Sequence, residues 1–522
     1  MGKYQQKIIT MGYKEISLKL PTDFTSEQLI QKIKKETGMQ NFSYRIDNKS
    51  LDARNKNNIH WLIKVIISSD EISGANHELR ETIEIPYKKR DKKVLITGSG
   101  PAGFFAALVL QMAGFKTTLI ERGTDVNKRE KGIIDFEKSG TFNPTSNYSF
   151  GEGGAGTFSD GKLTSRSKHI SAEKDFILTS YIQAGAPEEI AYMAHPHLGS
   201  DNLKIIVQNL RKQYLNIGGE ILFETFLEDL IIKNGNVKSA VLNSGTIDAD
   251  YFFIASGHSS FETYRMLIKR GILFRTKNFA LGSRIEHPQE IINIAQWGKK
   301  QLPGVKAAEY RLTSNPKNQL PVYTFCMCPG GIIVPATAYN NTNIVNGMSN
   351  YKRNARFANS ACVAAVNPGK IFGREANALE ILDWLENLEQ QFFNYSNGYS
   401  APVCTISDFI HKKQTSKKIE SSYPLGLKPA PLWELLPEEV SNSMRSGLID
   451  FSKKIKGFET GNIMGLESKT SSPVQVIREE NKRCTGFDNL FIVGEGSGYA
   501  GGIISSGADG IKAAINLIRM LE

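Results

Sequence analysis

The chain has 522 residues, too many for one ordinary hydrophobic core, and its 40% hydrophobic and 22% charged content is that of folded globular proteins rather than disordered or collagenous ones. No apolar run approaches the ~20 residues of a membrane helix; the first ten residues lack the core of a secretory leader, and Gln6 stands where a myristoylation signal needs Ser or Thr, so a cytoplasmic protein without a membrane partner is expected. The net charge of +11 admits an anionic partner, but its densest stretch, Lys88-Lys89-Arg90-Asp91-Lys92-Lys93, reads as a solvated linker without stacking aromatics, which disfavours nucleic acid and favours a small molecule.

Residues 1–90 read as a small α/β domain. Strands are expected at Lys14–Leu20, near Ser43–Ile46 and at Ile59–Ser68, with a helix from Ser26 to about Glu36. Thr25 and Gln28 have capping-box spacing, Leu29 and Ile33 share a face, and Gly38 follows the helix end. A ferredoxin-like arrangement is the expectation.

After the basic stretch, Val94-Leu95-Ile96-Thr97 is a short buried strand, Gly98-Ser99-Gly100-Pro101-Ala102-Gly103 a glycine turn, and Phe104–Leu110 an apolar helix. A second strand, Lys116–Ile120, ends at Glu121. In such a βαβ unit Gly98 permits the tight turn, Gly100 lets backbone approach a pyrophosphate, and Gly103 lets helix and strand pack closely. The helix N-terminus offers N–H groups to the anion, and Glu121 is spaced to accept from a ribose hydroxyl.

A second G-x-G-x-x-G, at Gly151, Gly153 and Gly156, follows polar residues and Pro144 rather than a strand, so it reads as a loop that brings backbone N–H groups to a flat ring or a pyrophosphate. Tyr251–Ile254 is a buried strand leading to Gly257. From Phe279 to Val366 strands are expected at Glu309–Leu312, Val322–Met327, Gly331–Ala336 and Asn343–Met348, an antiparallel insert forming a substrate cleft. Five cysteines scattered over the second half predict reduced thiols, and Cys326-x-Cys328 lacks the spacing of a metal knuckle, so no metal site is expected. The two cysteines lie on one strand face and read either as packing thiols or as a redox or electrophile-facing pair. Arg284 reads as a substrate-carboxylate anchor or a structural ion pair, and His287 as an acid/base group or a turn histidine. At the C-terminus Leu490–Val493, Gly494-Glu495-Gly496 and Gly501–Gly507 repeat a strand, a turn and a helix start.

Together these strings resemble the bacterial FAD-dependent dehydrogenase-like family, often labelled NAD(FAD)-utilising dehydrogenases, within the glutathione-reductase type of FAD superfamily. The resemblance runs from Ser50–Arg54 through the first glycine turn, Asn147–Leu163, His197–Asp201, Arg284–Pro288, Phe325–Gly331, Asn346–Ser349 and Gly465–Val474 to the C-terminal glycine segment. It implies an α/β fold: a Rossmann-like FAD/NAD(P)-binding domain of residues 91–280 and 480–522, a mainly antiparallel α+β substrate or cap domain of residues 281–479, and the small N-terminal domain. It implies FAD as cofactor, with NAD(P)H a candidate donor, in an oxidoreductase of unidentified substrate. An RNA-associated or RNA-modifying flavoprotein is the alternative. The cofactor-binding residues on this reading are Gly98, Ser99, Gly100, Pro101, Ala102, Gly103, Glu121, Arg122, Arg129, Gly153, Gly154, Ala155, Gly156, Ser159, Asp160, Lys162, Leu163, Gly257, Gly494, Glu495, Gly502 and Ile503. Glu495 departs from the Gly-Asp common in the wider superfamily.

Overall fold

The computed structural model describes residues 12–72, 82–416 and 418–522; the leader and myristoylation readings fall on residues outside these. Strands β1 (Gly12–Leu20), β2 (Ser43–Asp52) and β3 (His60–Ser69) form an antiparallel sheet of order β1-β3-β2. Helix α1 (Ser26–Thr37) closes one face through buried Leu29 and Ile33. Its capping box forms between Thr25 and Gln28, and Gly38 ends it with φ of 76°. A ferredoxin-like domain has four strands and two helices; the described residues before the next sheet hold three strands and one helix, so that expectation is corrected to a β-α-β-β unit. The unit docks on the main body through Lys49, whose N–H donates to Tyr192 O at 2.8 Å and whose carbonyl accepts from Ala194 N at 3.0 Å.

The basic stretch is no free linker. Lys88 N and Arg90 N donate to Ala113 O and Gly114 O, and the Arg90 guanidinium is buried 5.0 Å over the Phe115 ring. Asp91 pairs with Lys116 and Lys92 with Asp250, each at 3.0 Å. Part of the charge that suggested an anionic partner is thus matched within the chain.

The nucleotide fold then begins with β4 (Lys93–Thr97), α2 (Pro101–Met112), β5 (Lys116–Ile120), α3 (Val126–Ser139), β6 (Glu220–Leu222) and β7 (Tyr251–Ile254). Residues 279–467 build a larger, mostly antiparallel sheet whose long strands are β8 (Phe279–Pro288), β9 (Val322–Pro335), β10 (Val345–Ser349), β11 (Phe357–Val366) and β12 (Asn462–Glu467). β11 and β12 flank β8, β9 pairs with β11, and β10 adds to the far half of β9. Glu309–Leu312 is not a strand; the pairing residues are the next two, Thr313 and Ser314. The Cys328-Pro329-Gly330 segment, expected to separate two strands, runs through the interior of β9 as irregular ladder, with Gly330 N held by Gln289 Oε1 at 2.6 Å.

The chain finally returns to the nucleotide fold with β13 (Leu490–Ile492) and α4 (Gly502–Met520). The completed parallel sheet has the order β13-β7-β4-β5-β6. Its strands are apolar on both faces because both are covered: one packs against helices that include α2 and α4, the other mainly against a three-stranded antiparallel sheet within residues 227–248. α4 crosses α2 so closely that a Cβ on Gly510 would lie 2.1 Å from the Ala102 carbonyl oxygen.

That approach reverses the usual sign of a helix substitution. In an open helix Gly→Ala stabilises by about 1 kcal/mol. Gly510→Ala is expected instead to destabilise by about 1–3 kcal/mol through overpacking, read as a lowered urea midpoint with unchanged slope; a raised midpoint would show that α4 can move away freely.

Candidate cofactor site

One cavity of about 1420 Å³ lies between the nucleotide fold and the large sheet. Ligand pockets ordinarily enclose roughly 300–1,000 Å³, so this one has room for a dinucleotide with a second molecule beside it. Two helices point their N-termini into it. α2 starts at Gly100 and α4 at Gly501, and neither N-cap residue supplies a side-chain hydrogen bond. Their first N–H groups are left for an anion. Gly98 makes the turn off β4 with φ of 96°, and a Cβ there would sit 2.4 Å from Ala255 O. The second glycine loop lies against the first: a Cβ on Gly154 would approach Gly100 Cα to 3.1 Å.

The loop is held by Arg129. Its buried guanidinium donates to the carbonyl oxygens of Asn147, Tyr148, Glu152 and Gly154 at 2.8–2.9 Å. Burial pulls its pKa down to about 10, which leaves it charged at neutral pH. Arg129 does not line the cavity, so its expected cofactor contact is corrected to support of the loop. Ser99, Gly103, Gly153 and Leu163 are likewise behind the wall, while the other expected cofactor residues line it. Glu121 accepts from Ser99 N and Oγ at 2.9 and 2.7 Å, from Gly123 N at 2.9 Å and from Gly151 N at 3.1 Å, tying both glycine loops to the end of β5.

Asp160 anchors a charged cluster at the meeting of the two sheets. It is fully buried and accepts from Arg353 Nε at 3.0 Å and Nη2 at 2.6 Å, from Lys162 Nζ at 2.6 Å, and from Ser349 Oγ. Burial opposes its charge, but Lys162 and Arg353 outweigh burial and hold its pKa far below the usual carboxylate range.

The opposite wall comes from β9 and the segment before it, including Tyr310, Arg311, Tyr323, Thr324, Phe325 and Cys326. Of the four expected catalytic candidates only Cys326 lines the cavity. Arg284 is fully buried behind it and donates to Glu467 Oε2 at 2.9 Å, Asn359 Oδ1 at 2.9 Å and Cys326 O at 2.7 Å, the structural alternative for this residue. Glu467 is raised to about 7 by burial, against the pull of Arg284. His287 is buried against the Phe458 ring, with Nε2 2.8 Å from Phe458 O, and is neither at the cavity nor in a turn.

Residues the sequence did not single out complete the walls. His258 Nδ1 lies 3.3 Å from Glu495 Oε2 and its Nε2 lies 3.1 Å from Lys469 O. Both ring nitrogens therefore face oxygen atoms. Thr97 and Tyr310 also line the cavity, and their hydroxyl oxygens are buried without a hydrogen bond of normal geometry. Only His258 had a local signal, one residue beyond the Gly257 turn. Among the described residues no group of three or more His, Cys, Asp or Glu side chains is placed to hold a metal, and no helix is long and apolar enough to cross a membrane.

Residues 91–145 match the FAD binding domain model and residues 278–470 the model described as FAD-dependent protein, C-terminal domain-like. Over 493 residues the chain is 39% identical to an uncharacterized protein of Clostridium beijerinckii, covering 91% of this chain and 92% of the other. The chain belongs to that protein's family. Among solved structures this FAD-dependent protein is similar to glycine oxidase from Bacillus cereus (10% identity, TM-score 0.33, 83% of this chain and 96% of the other) and to L-proline dehydrogenase from P. horikoshii (10%, 0.35, 83% and 95%). The two helix N-termini and the paired glycine loops fit FAD, whose pyrophosphate needs such donors.

Arg129→Met is expected to cost at least ~3 kcal/mol by unpairing buried carbonyls and to weaken FAD binding, measured by urea unfolding and flavin fluorescence titration; unchanged affinity would show that the loop is held without it. His287 gives a pH test. Burial lowers its pKa to about 4 from an ordinary 6.5, so between those values the unfolded chain binds a proton that the folded chain refuses. Stability should fall as pH drops through this window, by up to ~1.4 kcal/mol per pH unit. His287→Gln should have a shallower slope from pH 6.5 to 4.5 in urea unfolding; an equal slope would mean that His287 protonates in the folded state.

Proposed function

We propose that this FAD-dependent oxidoreductase exchanges a hydride between its cofactor and a small-molecule substrate held against β9. The observation that carries the reading is the single cavity in which both uncapped helix N-termini face a second wall of aromatic and polar side chains. When bound, FAD supplies two-electron chemistry at its flavin ring. The α2 N-terminus and Gly98–Gly103 would hold the pyrophosphate, with Glu121 toward the adenosine ribose and Glu495 with the α4 N-terminus toward the other half of the cofactor. The return of the chain to the nucleotide fold at Leu490–Met520 supports a domain of the glutathione-reductase type.

The protein's part in the reaction is binding, orientation and exclusion of water. Tyr323 and Phe325 offer faces for a flat or apolar portion of the substrate, and Arg311 a charge for an anionic one. His258, between Glu495 and the Lys469 carbonyl, can hold a proton at Nδ1 beside the cavity. NAD(P)H as donor would use the same cavity, because the described residues contain one parallel nucleotide-binding sheet. A cytoplasmic enzyme is the corresponding proposal for location.

Purified protein should carry a flavin absorbance band, or acquire one when FAD is added. Glu121→Ala should weaken FAD binding by about tenfold or more, equivalent to ~1.4 kcal/mol. Anaerobic mixing with NADH and with NADPH then identifies the donor by bleaching of the band. Protein that stays colourless with excess FAD would overturn the reading.

A further inference from the structure

Cys326 and Cys328 are placed differently from two cysteines on a regular strand. The register of β9 against β11 slips between Phe325 and Cys328, which pair with Ala361 and Asn359, so β9 carries one extra residue there. Cys326 takes up the distortion with φ of 45°, a left-handed conformation unusual for a side chain of this kind. A non-glycine residue held there marks a position that the surrounding fold over-determines. The result is an ordered pair: Cys326 is partly exposed on the cavity wall, and Cys328 is buried directly behind it.

The surroundings separate the roles of the two sulfurs. They lie within hydrogen-bond reach of each other. Cys328 Sγ is 3.4 Å from Cys326 O and accepts from Arg284 Nη2 at 3.4 Å. Lys162 Nζ reaches Met327 O from the cavity side. The hydrogen bond from Cys328, then the charges of Lys162 and Arg284, bring the Cys326 thiol down into the thiolate range against burial and the repulsion of Asp160. The same hydrogen bond and burial push Cys328 up, so it stays a thiol. An accessible thiolate with a protonated thiol behind it is the arrangement that thiol–disulfide exchange requires.

We propose that Cys326 and Cys328 are a thiol–disulfide exchange site that opens onto the cofactor cavity and takes a small disulfide as its substrate. The Cys326 thiolate attacks one sulfur of the disulfide RSSR, forming a Cys326–S–S–R bond and releasing RS⁻. Cys328 then attacks Cys326 Sγ, forming the Cys326–Cys328 disulfide and releasing the second sulfur, which leaves as RSH with the Cys328 proton. Two cysteine sulfurs are oxidised and one disulfide is reduced to two thiols. The site shares the cavity with FAD, but its chemistry does not depend on the hydride-transfer reading.

The probe is oxidised glutathione, added to the FAD-loaded full chain, with acid quenching, iodoacetamide labelling and mass spectrometry of the peptide holding both cysteines. The wild type should give a peptide two hydrogens lighter that dithiothreitol restores. Cys328→Ser should stop at a glutathione adduct on Cys326, and Cys326→Ser should leave Cys328 unmodified. With iodoacetamide alone, Cys326 of the wild type should react at nearly the same rate at pH 6 and pH 8, where a thiol of pKa ~8.5 would accelerate by roughly 70-fold. A wild-type peptide that remains fully reduced, or a Cys326 rate that climbs like an ordinary thiol, overturns the proposal. Flavin absorbance on the same sample keeps the two readings apart. A flavin-loaded protein with inert cysteines removes only this inference, and a flavin-free protein that forms the disulfide removes only the other.

Discussion

The approach of α4 to α2 governs the geometry of the site. Gly510 allows the last helix to rest on the Ala102 carbonyl, and Gly103 allows α2 to rest on the Gly98 carbonyl, where a Cβ would come within 1.9 Å. These two backbone contacts set where both helices begin. Because each helix starts at a glycine with no capping side chain, the free N–H groups of residues four hundred positions apart in sequence point into one cavity. A larger side chain at either contact would separate the two donor sets, and a pyrophosphate-bearing ligand depends on their convergence.

The glycine loops need support because glycine supplies no side chain to pack. Arg129 provides it by satisfying four carbonyl oxygens with one buried guanidinium, and Glu121 does so from the other side by accepting from the amides of Ser99, Gly123 and Gly151. One cation gathers carbonyls and one anion gathers N–H groups, so the loop backbone is paired on both counts without secondary structure. This division explains why two charged residues near the cofactor are largely buried.

The first glycine turn, β4, α2, β5 and Glu121 were legible in the sequence because all their determinants lie within about thirty residues: an apolar strand, glycines at fixed spacing, an apolar helix and an acid. α1 was legible to its caps for the same reason. Arg129 was found as a residue of the region but given the wrong orientation, since spacing along α3 does not reveal whether a guanidinium meets a ligand or a loop. Tyr310 and Arg353 went unassigned because only the packing of the large sheet on the nucleotide fold brings them to the cavity. The Cys328-Pro329-Gly330 sequence looks like a turn locally; Gln289 and the neighbouring strands hold it as ladder, a tertiary constraint that overrides local preference.

The same ladder irregularity connects the buried ion pair of the large sheet to the cavity. Arg284 and Glu467 lie on adjacent strands, β8 and β12, and both are almost wholly shielded from water. A buried pair of this kind is a poor source of stability compared with apolar packing, so its presence asks for another reason. Arg284 supplies one: it spends its remaining donors on the Cys326 carbonyl and the Cys328 sulfur, fixing the distorted stretch of β9 from behind. Lys162 fixes it from the front through the Met327 carbonyl, while Asp160, itself held by Arg353, fixes Lys162. The distortion at Cys326 is thus held between two cations, Arg284 on the large sheet and Lys162 in the loop after the second glycine segment, and any movement of that loop against the large sheet would be felt at that thiol.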